Sequence, residues 1–263
     1  MDLKLTGKHV LVTGGSRGIG LACALEFLRE GARVSIAGRS PENLKTAQAQ
    51  LLKETGATVA THSADLSDAQ AALAMVDAAE HAGGPIDILV NSAGAAKLTP
   101  FAELSPAAWQ AAMQAKFFSY INVTDPLIKR MGARGQGAVV NVVGMGGKVA
   151  TIHHLAGGSA NAALMLSTVG MAAAYAPRGV RVNAVNPALT LTERAAASIS
   201  ADARQRNVPE EEALRQAQSR APLGRLANPQ DIADVVVFLA SPRAAYVTGV
   251  VMSLDGASVP LVV

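Results

Sequence analysis

The sequence is short of cysteine, of aromatic residues and of charge, and each shortage removes a class of protein. Cys23 is the only cysteine among 263 residues, so a disulfide-stapled secreted scaffold is excluded and a reducing compartment fits. Aromatic residues make up 3% and charged residues 16%, against 50% hydrophobic. That is too apolar for disorder and sufficient for one sizeable buried core. The 23 Lys and Arg nearly balance 20 Asp and Glu, and no run of five or six basic residues occurs, so nucleic acid is not an expected partner. No apolar run reaches about 18 residues, the length that a membrane span requires. Met1-Asp2-Leu3-Lys4 lacks the uncharged core of a signal peptide. A single-domain, soluble, cytoplasmic protein without a membrane partner is expected, and no repeat, low-complexity stretch or linker interrupts it.

What is present is an alternation of two periods. Residues 8–14 form a β-branched run ending at glycine, the pattern of a strand buried on both faces. Residues 18–30 follow with Ile19, Cys23 and Phe27 at helical spacing, and Gly31 supplies the cap. A strand over 32–38 precedes Ser40-Pro41, an N-cap and first-turn proline that open the next helix. The beat continues with strands near 59–66, 87–94, 138–144, 181–187 and 247–254, and helices near 68–81, 106–131, 155–175 and 229–240. Such alternation predicts an α/β fold: a doubly wound, seven-stranded parallel sheet with helices on both faces. Residues 193–225 break the beat, being polar and mixed in charge with two short helical patterns. This stretch is either a substrate lid, lying after a strand's C-terminal end, or a plain surface excursion.

Directly after the first strand stands Thr13-Gly14-Gly15-Ser16-Arg17-Gly18-Ile19-Gly20. Its glycines allow a tight turn and let a pyrophosphate approach the backbone and the free N–H groups of the following helix. Here the chain resembles the short-chain dehydrogenase/reductase family over nearly its whole length. The resemblance also rests on Asp65-Leu66, on Asn91-Ser92-Ala93-Gly94 with Ser92 in place of a second asparagine, and on Arg181-Val182-Asn183. Further matches are Asn186-Pro187-Ala188 with the trailing Thr192, Thr248-Gly249 and Asp255-Gly256. It implies a Rossmann domain holding a nicotinamide dinucleotide. By that likeness the cofactor-binding residues are Gly14, Ser16, Arg17, Gly18, Ile19, Gly20, Arg39, Ser40, Asp65, Leu66, Asn91, Ala93, Gly94, Asn161, Pro187, Ala188, Thr190 and Thr192.

Charge suggests which dinucleotide. NAD sites carry an acidic residue after the second strand, whereas here Gly38, Arg39 and Ser40 follow it and Arg17 lies in the glycine loop. Two guanidiniums with no carboxylate nearby in sequence suit a 2′-phosphate. NADP(H) is therefore the preferred cofactor, with NAD(H) possible; the alternative is that both arginines are simply solvated.

The family's catalytic residues are absent. No Tyr-x-x-x-Lys occurs, and counting back from Arg181-Val182-Asn183 puts the family's lysine at Asn161, its tyrosine at Gly157 and its serine at Gly144. Anchoring on Trp109 places its asparagine at Lys116. Two readings stay open. In one, a carbonyl/alcohol oxidoreductase uses a rebuilt proton donor, His154 rather than His153, with Lys116 adding positive charge and Asn161 bonding a ribose hydroxyl. In the other, the chain binds a dinucleotide without chemistry, as a sensor or partner subunit. The substrate is a small molecule of unreadable class, since the 193–225 stretch mixes Arg194, Arg204, Arg206 and Arg215 with Glu193, Asp202 and Glu210. No His, Cys or Asp cluster has metal-ligand spacing. Resemblance implies a homotetramer or homodimer, for which the alanine-rich helix over 160–176 could serve as an interface or pack internally.

Overall fold

A computed structural model describes residues 1–94, 99–152 and 154–261, apart from the side chains at 194, 198, 201 and 205. The valine- and isoleucine-rich runs form β1 (His9–Thr13), β2 (Arg33–Gly38), β3 (Ala60–Ser63), β4 (Ile88–Asn91), β5 (Gly137–Val142), β6 (Val180–Pro187) and β7 (Val251–Leu254). They pair in parallel in the order β3-β2-β1-β4-β5-β6-β7. Between them lie α1 (Gly18–Arg29), α2 (Pro41–Thr55), α3 (Ala69–Gly83), α4 (Pro106–Ala112), α5 (Ser119–Arg134), α6 (Leu155–Tyr175), α7 (Glu193–Arg206), α8 (Glu210–Ser219) and α9 (Pro229–Ala240). Strand alternation divides the core between two faces. Val10 and Val12 of β1 join Phe27 of α1, Leu44 of α2 and Val236 of α9, whereas Leu11 joins the face holding Val76 of α3 and Val123 and Leu127 of α5.

Local chemistry sets the expected boundaries. Ser40 Oγ accepts from Asn43 N at 3.2 Å with Pro41 in the first turn, as its N-cap role requires. The one clear departure lies in the helix expected over 106–131. It runs as α4, a π-turn at Met113–Phe118, and α5. A π-turn inserts one extra residue into the helical ladder, which periodicity does not reveal because apolar positions still recur every three or four residues. The 193–225 stretch holds α7 and α8 and no strand. Its root is pinched by a bridge between Thr190 and Ala227, and Leu191 N donates to Ala227 O at 2.7 Å.

A buried polar chain ties the helices of one face to the sheet. Asn91 Nδ2 donates to Thr124 Oγ1 at 2.8 Å and to Asn141 Oδ1 at 2.9 Å, and Asn141 Nδ2 donates to Thr168 Oγ1 at 2.9 Å. Cys23 is fully buried, and burial pushes its thiol pKa far up, so it is inert filler. Among the described residues, no helix is long and apolar enough to cross a membrane, and no three His, Cys, Asp or Glu converge to hold a metal ion.

At the far end of β1, His9 is buried with Nδ1 2.8 Å from Gly84 O and Nε2 2.9 Å from Ser35 Oγ. Burial lowers its pKa below the ordinary imidazole value, outweighing the raising effect of the Gly84 carbonyl; burial lowers His62 likewise. In the unfolded chain each imidazole takes a proton near about pH 6.5. Their contribution is therefore full above that pH and is lost as pH falls below it. Urea unfolding should show the wild type losing stability between about pH 7.5 and 5.5, and His9→Gln losing less of it. Equal losses in the two proteins would remove His9 from the account.

Candidate functional site

The C-terminal ends of the strands open onto a cleft of about 720 Å³, at the point where β1 has β2 on one side and β4 on the other. Open α/β sheets bind ligands at such a reversal of strand order. A smaller pocket of about 290 Å³ adjoins it, and the two share Ile19, Ser92, Gly94 and Thr192 as walls.

The glycine loop forms the floor of the cleft. Gly14 has φ +66°, and a Cβ there would stand 2.8 Å from Ala93 N. Only glycine there lets the loop pack against the Ser92-Ala93 backbone, beside the wall that Gly14, Ser16, Gly18 and Ile19 form. Helix α1 starts at Gly18 with Arg17 as N-cap, no side-chain capping bond and no acidic residue in its first turn. Its open N–H groups and positive dipole end suit a phosphate. Two sequence-predicted contacts lie behind this wall. A Cβ on Gly20 would overlap the Gly14 carbonyl, so Gly20 serves close packing of the loop. Asn91 is fully buried with its amide engaged by Thr124 and Asn141, so it supports the floor from beneath rather than lining it.

The wider end of the cleft is walled by Arg17, Gly38, Arg39, Ser40, Asn43, Asp65, Leu66 and Ser67, with Ala93 and Gly94 nearby. Asp65 Oδ1 accepts from Ser67 Oγ at 2.7 Å and Ser67 N at 3.0 Å. These bonds, and to a lesser degree Arg39, hold its carboxyl below the usual range. Arg17 donates to Asn43 Oδ1 at 2.6 Å and lies 3.4 Å from Glu193 Oε2. The arginines are thus not free of carboxylates, as the local sequence suggests. Asp65 lies in the loop after β3, which pairs with β2, and Glu193 opens α7 more than 150 residues downstream of Arg17. Asn43, Ser67 and Glu193 were not among the sequence-predicted residues. Asn43 sits three residues after the Ser40 cap, a local signal; Glu193 offers none.

The smaller pocket is walled by Lys116, Val142, Gly144, Pro187, Ala188, Leu189, Thr190 and Ala195. Lys116 belongs to the π-turn. Its Nζ donates to Tyr120 Oη at 2.8 Å and to Val142 O at 3.3 Å, and Tyr120 Oη donates to Val142 O at 2.7 Å. The i, i+4 spacing of Lys116 and Tyr120 was the available signal for that partnership. Asn161 is 5% exposed, with Oδ1 buried and unpartnered among the described residues. Its Nδ2 would lie 3.4 Å from a Cβ on Gly144. His154 is the N-cap residue of α6, with its ring against Gly146, and its Nδ1 is buried without a partner among the described residues. Burial, and then Lys116, lowers its pKa below the ordinary value. Both causes favour the neutral form of the ring. His153 lies outside the described residues.

Residues 14–257 match the family described as enoyl-(acyl carrier protein) reductase. The chain is 35% identical to D-threitol dehydrogenase of Mycolicibacterium smegmatis, across 97% of this chain and 94% of that one. It is 36% identical to galactitol 2-dehydrogenase (L-tagatose-forming) of Cereibacter sphaeroides, across 96% and 95%. Among solved structures, L-sorbose reductase from Gluconobacter frateurii, complexed with NADPH and L-sorbose, superposes with a TM-score of 0.94 at 28% identity over the whole of both chains.

Proposed function

The chain belongs to the short-chain dehydrogenase/reductase family, and from that premise we propose an NADP(H)-dependent oxidoreductase interconverting an alcohol and a carbonyl on a small organic substrate. The observation that carries this reading is the pair of adjoining cavities, one of about 720 Å³ walled by the glycine loop and two arginines, the other of about 290 Å³ holding Lys116. Dehydrogenases and reductases among the relatives favour an enzyme over a binding-only protein. NADPH in the L-sorbose reductase complex supports the choice of dinucleotide.

The glycine loop and the open start of α1 would hold the pyrophosphate. Arg17, Arg39 and Ser40 would take the 2′-phosphate, Asp65 and Leu66 the adenine side, and Pro187, Ala188, Thr190 and Thr192 the nicotinamide side, with the buried Asn161 behind Gly144 of the smaller pocket. When bound, the cofactor supplies or accepts the hydride. The chain's own task is the proton and the charge on the substrate oxygen. Lys116 Nζ, fixed by Tyr120 and the Val142 carbonyl, stabilises negative charge there. His154, kept neutral by burial and by Lys116, accepts the proton released on alcohol oxidation and returns it on reduction. Residues 193–225, joined to the pocket through Thr192 and Ala195, act as a lid. Assembly into a dimer or tetramer is supported by the exposed Leu166 and Val169 on α6, 76% and 45% accessible.

The test is NADP⁺ reduction with a panel of small polyols and secondary alcohols across pH, with His154→Gln and His153→Gln compared. Because His154 titrates below the ordinary imidazole range, oxidation should be flat through neutrality and fall only in acid. His154→Gln should cost about a hundred-fold in kcat and remove that acid limb, while His153→Gln keeps both. Turnover that survives His154→Gln would leave Lys116 as the only assigned group at the substrate oxygen.

A further inference from the structure

Four charged side chains are among the walls of the larger cleft: Arg17, Arg39, Asp65 and Glu193. Asp65 is already satisfied by Ser67 and lies under the influence of Arg39. Glu193 has a different relation to the site. It begins α7, with Thr192 Oγ1 capping the helix by accepting from Ala195 N at 3.2 Å. From there it reaches across to Arg17, 3.4 Å away. A carboxylate therefore stands inside a cleft whose floor is built for anions, and it engages one of the two arginines among the described walls.

We propose that Glu193 is a specificity-determining residue that competes with the cofactor's 2′-phosphate for Arg17. The proposal rests on the assignment of this cleft to a nicotinamide dinucleotide. Both partners are well exposed, Arg17 at 59% and Glu193 at 77%. Such a pair is weak, and a dianionic phosphate that engages the guanidinium through two oxygens displaces it. Asn43, which already accepts from the same guanidinium at 2.6 Å, keeps Arg17 over the cleft when Glu193 lets go. The cost of displacement falls only on ligands carrying a 2′-phosphate, so Glu193 narrows the margin between NADP(H) and NAD(H). Displacement also strips the first residue of α7 of its contact with the glycine loop. Occupancy of the 2′-phosphate position is thereby transmitted to the root of the 193–225 stretch.

Calorimetry with two fragments isolates the effect, 2′,5′-ADP carrying the 2′-phosphate and 5′-ADP lacking it. Glu193→Gln should tighten 2′,5′-ADP by about two- to five-fold, the range expected of an exposed ion pair, and leave 5′-ADP unchanged. In an Arg17→Met background the same substitution should have no effect on either fragment, because the competition acts through Arg17. Amide exchange in 193–206 should quicken with 2′,5′-ADP and not with 5′-ADP. Equal tightening of both fragments, or none, would overturn the proposal while a wild-type preference for 2′,5′-ADP left the cofactor assignment standing. Failure of the wild type to bind either fragment would overturn both.

Discussion

Arg39→Asp is expected to weaken NADPH about thirty-fold and to tighten NADH, reversing the order of the two. Arg39 lies just past the end of β2 on the wall of the cleft, where a ribose-binding carboxylate stands in NAD-specific sites. Removing a charge-assisted bond to a phosphate costs about 2 kcal/mol, or some thirty-fold in Kd. The introduced carboxylate adds repulsion toward a 2′-phosphate, and it accepts hydrogen bonds from the ribose hydroxyls of NADH. Asp65, close enough for Arg39 to help hold its carboxyl low, loses that support in the variant, which deepens the penalty for an incoming anion. Parallel calorimetric titrations with NADPH and NADH decide the matter. An unchanged NADPH affinity would mean that Arg39 is solvated and that Arg17 alone reads the phosphate.

Asn141→Ala is the substitution expected to cost most in stability. Asn141 is 1% exposed and stands between two buried partners, accepting from Asn91 at 2.9 Å and donating to Thr168 at 2.9 Å. Its loss removes two hydrogen bonds and leaves polar groups of β4 and α6 buried with fewer partners, a cost of about 3 kcal/mol. For a chain of this length, that corresponds to a fall of about 6 °C in Tm. Thr168→Val should be milder, because its loss leaves Asn141 still bonded to Asn91. The double variant should fall short of the sum of the two, since both cut the same link. A loss below about 1 kcal/mol for Asn141→Ala would show that water or a shifted side chain satisfies the freed groups.

What was legible in the sequence was whatever chemistry is local. The glycine loop, the Ser40-Pro41 helix start and the extents of α6 and α9 follow from neighbours within a few residues, and all stand where expected. The seven-stranded, parallel, doubly wound sheet followed from the alternation of periods. What stayed hidden depends on distant partners. Arg17 looked unpaired because Glu193 reaches it only once α7 is placed. Asn91 looked like a cofactor contact because its motif lies on the cleft, yet its side chain turns inward to Asn141 on the neighbouring strand. His154 looked like an ordinary imidazole because the burial and the lysine that lower its pKa come from other segments. Lys116 lines the smaller pocket, and its place in a π-turn stayed hidden, since one extra residue in a helix leaves almost no trace in hydropathy.

The order of the sheet bears on how the chain comes into being. β1 is the first strand made, and it ends between β2 and β4. Its partner on one side, Arg33–Gly38, follows soon after, but its partner on the other, Ile88–Asn91, emerges some 75 residues later. On a ribosome that interval lasts on the order of ten seconds. Throughout it, the valine- and leucine-rich flank of β1 has an open backbone edge and nothing to pair with. The nascent chain is therefore most vulnerable to association with its neighbours between the synthesis of β1 and that of β4. Translation through residues 14–88 is the window in which a holding chaperone, or slow initiation that keeps ribosomes apart, would most raise the yield of native protein.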